Sequence, residues 1–230
     1  MTLQELHDNL LAWATAEPRK ESLLRARRLH FERAGEPHED DTSFESRMNG
    51  MLDQYLYDFR PDGQTTLVEL FLQANGASLS PEDQTRYRDL GRNVHGLFEV
   101  RRIRPAEIRL RDVFTERDHD VTERRQMAGL AKGDLLEARL LPFEGQLLFS
   151  GSFLYHPHMV RKAILSEVKR LKKQAGKGHL PDVETFLAQL SRMAFKFERY
   201  RNVKVESIYD FSPEGQARTP PPRPQRREEE

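Results

Sequence analysis

Two runs, Leu97-Phe98-Glu99-Val100-Arg101-Arg102-Ile103 and Glu107-Ile108-Arg109-Leu110-Arg111-Asp112-Val113, flank the breaker Arg104-Pro105-Ala106 and decide how this chain folds. Each is short, rich in Val, Ile, Leu or Phe, and bounded by turn-forming residues, which reads as strand. Three more follow: His119 to Glu123, Asp134 to Leu141 and Gln146 to Tyr155. The connections Thr115-Glu116-Arg117-Asp118, Ala131-Lys132-Gly133 and Pro142-Phe143-Glu144-Gly145 leave no room for crossover helices. Regularly spaced short strands of this kind predict an antiparallel sheet curling into a small barrel over residues 96–157.

On either side the period changes to that of helices. Phe44, Met48, Met51, Leu52, Tyr55, Leu56 and Phe59 recur every three or four residues and predict one apolar stripe on a four-turn helix. Pro61-Asp62-Gly63 ends it, and Thr66-Leu67-Val68-Glu69 reads as a capping box opening a second helix with Leu67, Leu70, Phe71 and Ala74 inward. Asn75-Gly76 supplies a left-handed stop. Ser80-Pro81-Glu82-Asp83 starts a third helix ending near Gly91 or Asn93, with a capping serine, proline in the first turn and acids at the positive end of the dipole. Before all of these, residues 1–33 read as two short helices interrupted near Pro18.

The remaining segments complete an α+β chain. Residues 34–43, polar and acidic and broken by Gly and Pro, predict a flexible linker, and 44–95 a helical segment. Residues 158–211 predict C-terminal helices: Val160, Ile164, Val168 and Leu171 form one face, and Phe186, Leu190, Met193 and Phe197 form another after the loop Ala175-Gly176-Lys177-Gly178. Val203, Val205, Ser207 and Tyr209 alternate as in an edge strand. Residues 212–230, rich in Pro, Arg and Glu, predict a disordered tail.

Composition narrows the function classes. The chain has 230 residues, long enough for a real core, yet its apolar fraction is 37% and its charged fraction 32%. Lys+Arg and Asp+Glu are both 37, so no net field draws the whole molecule to nucleic acid or anionic lipid, and any basic surface is local. The absence of cysteine removes disulfides, thiolate nucleophiles and every Cys-containing zinc or iron–sulfur site, and suits a reducing cytoplasm. The segment Met1 to Trp13 lacks a cationic start and carries Glu5 and Asp8, unlike a signal peptide. No apolar run approaches the ~20 residues of a membrane span.

Tyr55-Leu56-Tyr57-Asp58-Phe59 followed by Gly63-Gln64-Thr65-Thr66-Leu67-Val68-Glu69-Leu70-Phe71 resembles a segment of uncharacterised bacterial proteins that often carry a SEC-C zinc module. Leu110-Arg111-Asp112-Val113-Phe114-Thr115, Gly133-Asp134-Leu135-Leu136-Glu137-Ala138-Arg139-Leu140 and Phe149-Ser150-Gly151 are similar to the β part of the same group. The resemblance spans roughly residues 44–155 and implies a helical segment followed by a small β-barrel. It transfers no catalytic residue, and without cysteine the zinc module itself is absent here.

Motifs that carry chemistry are weak. His156-Pro157-His158 places two imidazoles on one face of an extended segment, with His119 or its neighbours Asp118 and Asp120 as third ligand; a turn-and-cap role competes with metal binding and is preferred. Asp118-His119-Asp120 combines a base with two carboxylates but reads more simply as a solvated turn. Ser150-Gly151-Ser152 lacks the nucleophile elbow, and Gly176-Lys177-Gly178 lacks the spacing of a phosphate loop.

The clearest charge feature is residues 159–179, where Arg161, Lys162, Lys169, Arg170, Lys172, Lys173 and Lys177 face only Glu167. Such a helix suits phosphates or an acidic protein, or is a solvated face paired with Glu36, Glu39, Asp40 and Asp41. Arg218, Pro221 and Pro224 outline a polyproline ligand segment in the tail. These features predict a non-enzymatic cytoplasmic regulatory or adaptor protein without cofactor. Its partner is another protein, one form of the role being a stoichiometric inhibitor, and the partner-binding candidates are Arg161, Lys162, Lys169, Arg170, Lys172, Lys173, Arg218, Pro221 and Pro224. The alternatives are a nucleic-acid binder using the barrel and the basic helix, and a metal-dependent enzyme using His156, His158 and His119.

Overall fold

In the computed structural model, which describes residues 1–123, 129–200, 202–212 and 214–215, all five strands form: β1 (Val94–Arg104), β2 (Glu107–Asp112), β3 (Asp118–Thr122), β4 (Leu135–Phe143) and β5 (Gln146–His156). They close a barrel in the order β1-β2-β3-β5-β4, and β4 returns to β1. The expectation of a wholly antiparallel sheet is corrected at one seam, where β3 runs parallel to β5 through Val121↔Leu147 and Thr122↔Leu148. Parity demands it, because a ring with an odd number of strands cannot alternate direction all the way round. This five-stranded Greek-key order is the OB-fold arrangement.

Alternation fills the barrel. Ile108 and Leu110 of β2 turn inward with Phe98, Val100, Val121, Leu136, Ala138, Leu140 and Phe149, while Glu107, Arg109 and Arg111 turn out. The β4–β5 register passes from Ala138↔Phe153 to Leu140↔Phe149, so Arg139 alone stands opposite Ser150-Gly151-Ser152. This bulge bends β5 against a helix.

That helix is α3 (Phe44–Tyr57), and it approaches closely because Gly50 has no side chain: a Cβ there would lie 2.8 Å from Ser152 Oγ. The predicted single stripe is too simple. Arg47, Asp53 and Tyr57 are buried as well as Met51, Tyr55 and Leu56, because α3 is sandwiched between the barrel and other helices.

Two helical layers cover opposite ends of the same barrel wall. In the first, α1 (Leu3–Thr15) and α2 (Lys20–Ala34), separated by a 3-10 turn at Pro18, pack with α3, α4 (Leu67–Asn75) and α5 (Pro81–Leu90) around Leu6, Leu10, Leu56, Leu67 and Leu90. The predicted capping box of α4 and the serine cap of α5 are present. Residues 1–33 pack on this body: Tyr55 Oη donates to the Ala14 carbonyl at 2.9 Å and Tyr87 Oη to that of Leu6 at 3.0 Å. In the second layer, α6 (Arg161–Ala175), α7 (Val183–Arg199) and α8 (Val205–Ile208) bury Ile164, Val168, Phe186 and Leu190 against Leu97, Phe114 and Leu135 of the barrel segment.

Several local expectations are corrected. Residues 203–209 hold the short helix α8 rather than an edge strand, because its Val205 and Ile208 both reach the α7 cluster, a spacing of three that suits helix. Gly76 has φ −53°, so α4 ends by running into a 3-10 turn and not by a left-handed stop. Ala74 is exposed where Val68 is buried, and Phe197 is exposed while Leu187, Ala194 and Phe195 join the buried face of α7. The acidic stretch 34–43 is tied to α7 rather than loose: Arg199 donates to the Asp41 carboxylate and the Glu36 carbonyl, and Glu198 accepts from the Ser43 amide and hydroxyl. Among the described residues no helix is long and apolar enough to cross a membrane.

Candidate functional site

The outer face of β4 reads Leu135, Glu137, Arg139, Leu141. Its two leucines belong to the two helical clusters, which leaves an acid and a base in the strip between them. Polar groups from every neighbouring element collect along this strip. Arg139, 2% exposed, donates to the Asp58 carboxylate and to the Asn93 side chain, with the Tyr57 ring 5.6 Å away. Asp53 lies beside it, and burial raises its pKa above the usual carboxylate range, against the Ser150 hydroxyl that lowers it. His156, opposite Leu135, is buried with Nδ1 3.1 Å from Tyr209 Oη; burial pushes its pKa down to about 4.

Part of the strip opens into a cleft between α2, α3, α7 and the strands β1, β4 and β5. It leaves about 80 Å³ free, room for more than one water. His95 of β1 sits diagonally across from Glu137, with Nε2 3.1 Å from Oε1. The other carboxylate oxygen, Oε2, is buried and has no partner among the described residues. On the facing wall His30 Nδ1 lies 2.6 Å from Gln54 Oε1, and burial lowers the His30 pKa although the Gln54 bond raises it. Arg47 forms the floor: its guanidinium lies over Phe195, 3.2 Å from the ring centroid, and donates to Ser43 and Ser191. Burial pushes its pKa down to about 10. A cleft lined by two shifted titratable groups, His30 and Arg47, and an unsatisfied acceptor has the physical marks of a binding site.

Of these residues only His156 was singled out in the sequence, and for a different role, although a signal existed for others. Glu137 and Arg139 are charges alternating within a run of Leu and Ala, and Arg47 and Asp53 interrupt an apolar helix. The histidines His30 and His95 carry no such mark.

The predicted site residues are placed apart. His156 turns into the protein toward Tyr209, while His158 is exposed and lies 3.1 Å from Asp134. His119 is on β3 with its ring edge-on to Phe98. Among the described residues no three His, Cys, Asp or Glu side chains are arranged to hold a metal ion. Asp118 and Asp120 are strand residues rather than a turn, and they pair with Arg111 and Arg109. Of the basic helix, Arg161 pairs with Glu99 at 2.6 Å, Arg170 with Glu167 and Lys172 with Glu116, while Lys162, Lys169 and Lys173 are exposed. The acids Glu36 and Asp41 pair instead with Arg27 and Arg199, which corrects their assignment to α6. Arg218, Pro221 and Pro224 lie outside the described residues.

A second surface is the part of the barrel away from the helices, which pack chiefly on β4, β5 and β1. There Arg109 grips Asp120 with two bonds of 2.6 Å, Arg111 reaches Asp118 and Glu116, and Arg102 and Arg104 share Glu107. Among the described residues the face is charged, balanced and internally paired.

No curated protein and no solved structure matches the chain. Residues 2–203 match the model of a family of unknown function (DUF7986), and the chain belongs to that family.

Proposed function

We propose that the protein is a non-enzymatic regulatory or adaptor protein of the cytoplasm that docks a protein partner on the open face of its barrel, one form of this being stoichiometric inhibition. The observation that carries the reading is the Arg109–Asp120 and Arg111–Asp118 ladder. Arginines held in fixed forks by neighbouring carboxylates present donors and acceptors in a set pattern, which suits the alternating charges of a protein surface and gives orientation and specificity. Among the described residues a phosphodiester chain finds few unpaired cations there, and counterion release rewards only cations free to neutralise phosphate.

Nucleic acid is the second reading, favoured by the OB arrangement itself, whose β2–β3 face is a recurrent oligonucleotide platform. The test is to purify the untagged protein from its own cell extract at moderate salt and analyse what co-elutes. One protein at equal stoichiometry, lost in an Arg109→Glu/Arg111→Glu variant of unchanged melting temperature, supports docking on this face. Nucleic acid that dissociates steeply with salt moves the assignment to the second reading, and a partner retained by the double variant removes this face from the proposal.

A further inference from the structure

The cleft is a separate matter from the open face of the barrel, and its lining carries the carboxylates of Asp58, Glu137 and Glu184 as well as Arg33 and Arg47. Around Glu137 the groups with spare hydrogen-bonding capacity are acceptors. Glu137 uses Oε1 toward His95, and Oε2 is buried without a partner among the described residues. Gln54 Oε1 can only accept, so His30 carries its proton on Nδ1 and leaves Nε2 with a lone pair. Glu137 can likewise only accept, so His95 donates from Nε2, and the neutral ring keeps a lone pair on Nδ1.

The buried guanidinium groups nearby are turned chiefly to other partners, although Arg139 Nε is left without one among the described residues. Arg47 turns its N–H groups to the Ser43 hydroxyl and to the hydroxyl and carbonyl of Ser191, with one face against Phe195. Ser46 donates to the Phe153 carbonyl at 2.5 Å. Arg139, the other buried cation of the strip, is engaged by Asp58 and Asn93. Among the described residues Glu137 therefore pairs with no guanidinium or ammonium group, only with the His95 ring, and a carboxylate oxygen left bare in a buried place is costly unless something donates to it.

We propose that this cleft binds a small organic cation, an alkylammonium or guanidinium group, which donates to Glu137 and to the free nitrogens of His30 and His95. The free volume of about 80 Å³ suits the head group of such a molecule and excludes a folded side of a macromolecule. Water is the competing occupant, and it fills the same acceptors without selecting for charge.

The experiment is a titration of the full-length, isotope-labelled protein with guanidinium chloride and methylammonium chloride at millimolar concentration, with sodium acetate as the oppositely charged probe. The readout is the imidazole resonances of His30 and His95. A saturable shift with either cation and none with acetate is expected, abolished in Glu137→Gln, which keeps the shape and removes the charge. His30→Gln, at the α2 rim, is expected to weaken binding about fivefold, the worth of one hydrogen bond. It keeps the test available should Glu137→Gln fail to fold. A linear response to both cations, an equal response to acetate, or unchanged affinity in a folded Glu137→Gln or in His30→Gln overturns the proposal and leaves water as the occupant.

Discussion

Ser46 on α3 holds the backbone of Phe153 on β5 by both of its polar groups, its hydroxyl donating to the carbonyl at 2.5 Å and accepting from the amide at 2.8 Å. One side chain thus replaces a missing strand at the point where the β5 bulge turns toward the helix. Ser46→Ala leaves both backbone groups unpaired against α3. A loss of about 1–3 kcal/mol is expected, read as a lower urea midpoint with unchanged m-value. A midpoint equal to that of the wild type shows that solvent replaces the hydroxyl.

His156 makes the fold sensitive to acid. Burial, the largest influence, pushes its pKa from 6.5 to about 4; Glu137 pulls it up and Arg47 pushes it down by smaller amounts. Tyr209 faces its Nδ1. The folded imidazole is neutral where the unfolded one takes a proton, so its contribution is present above pH 6.5 and is lost as pH falls toward 4. His30 is shifted in the same direction by burial and adds to the trend. About 3 kcal/mol is the order expected for His156 alone. Urea unfolding across this window is expected to show a shallower slope in His156→Gln; the wild-type slope in that variant places the sensitivity elsewhere.

Arg139 and Asp58 form an ion pair whose two members differ in burial, the arginine 2% and the aspartate 29% exposed. Removing either leaves an unpaired partner, but Asp58→Ala strands the deeper charge. Both single variants are expected to cost about 3 kcal/mol or more, with Asp58→Ala at least as damaging as Arg139→Met. The Asp58→Ala/Arg139→Met double variant is expected to recover part of the loss, because a buried pair is costly to break and cheaper to remove whole. Additive losses in chemical denaturation contradict the coupling.

Leu56 is fully buried in the cluster that joins α1 to α4 and α5. Leu56→Ala is expected to cost about 2–5 kcal/mol. A change below about 0.5 kcal/mol, the range of surface substitutions, contradicts that placement.

The strands and most helix ends were legible because their causes are local. The capping box Thr66 to Glu69, the serine cap at Ser80 and the run Ile108-Arg109-Leu110-Arg111 each carry their signal within a few residues. Phe197 and Ala74 were misplaced for the same reason in reverse: period alone says that a helix has a wet and a dry face, and a neighbour decides which residues at the margin it covers. Val203 to Tyr209 alternates like a strand, yet the barrel is closed without it and α7 lies beside it.

By itself the sequence determined the α+β order, the barrel and its position between two helical parts, since alternation, capping and turn chemistry act between near neighbours along the chain. Only the tertiary structure decided that β5 closes the ring against β3, and that Glu137, His95, His30, Arg47 and His156 gather at one wall. Those residues come from three strands and two helices spread over more than half of the chain, and no spacing rule links them. They meet because two apolar clusters cover the ends of the same wall and leave its polar middle buried between them.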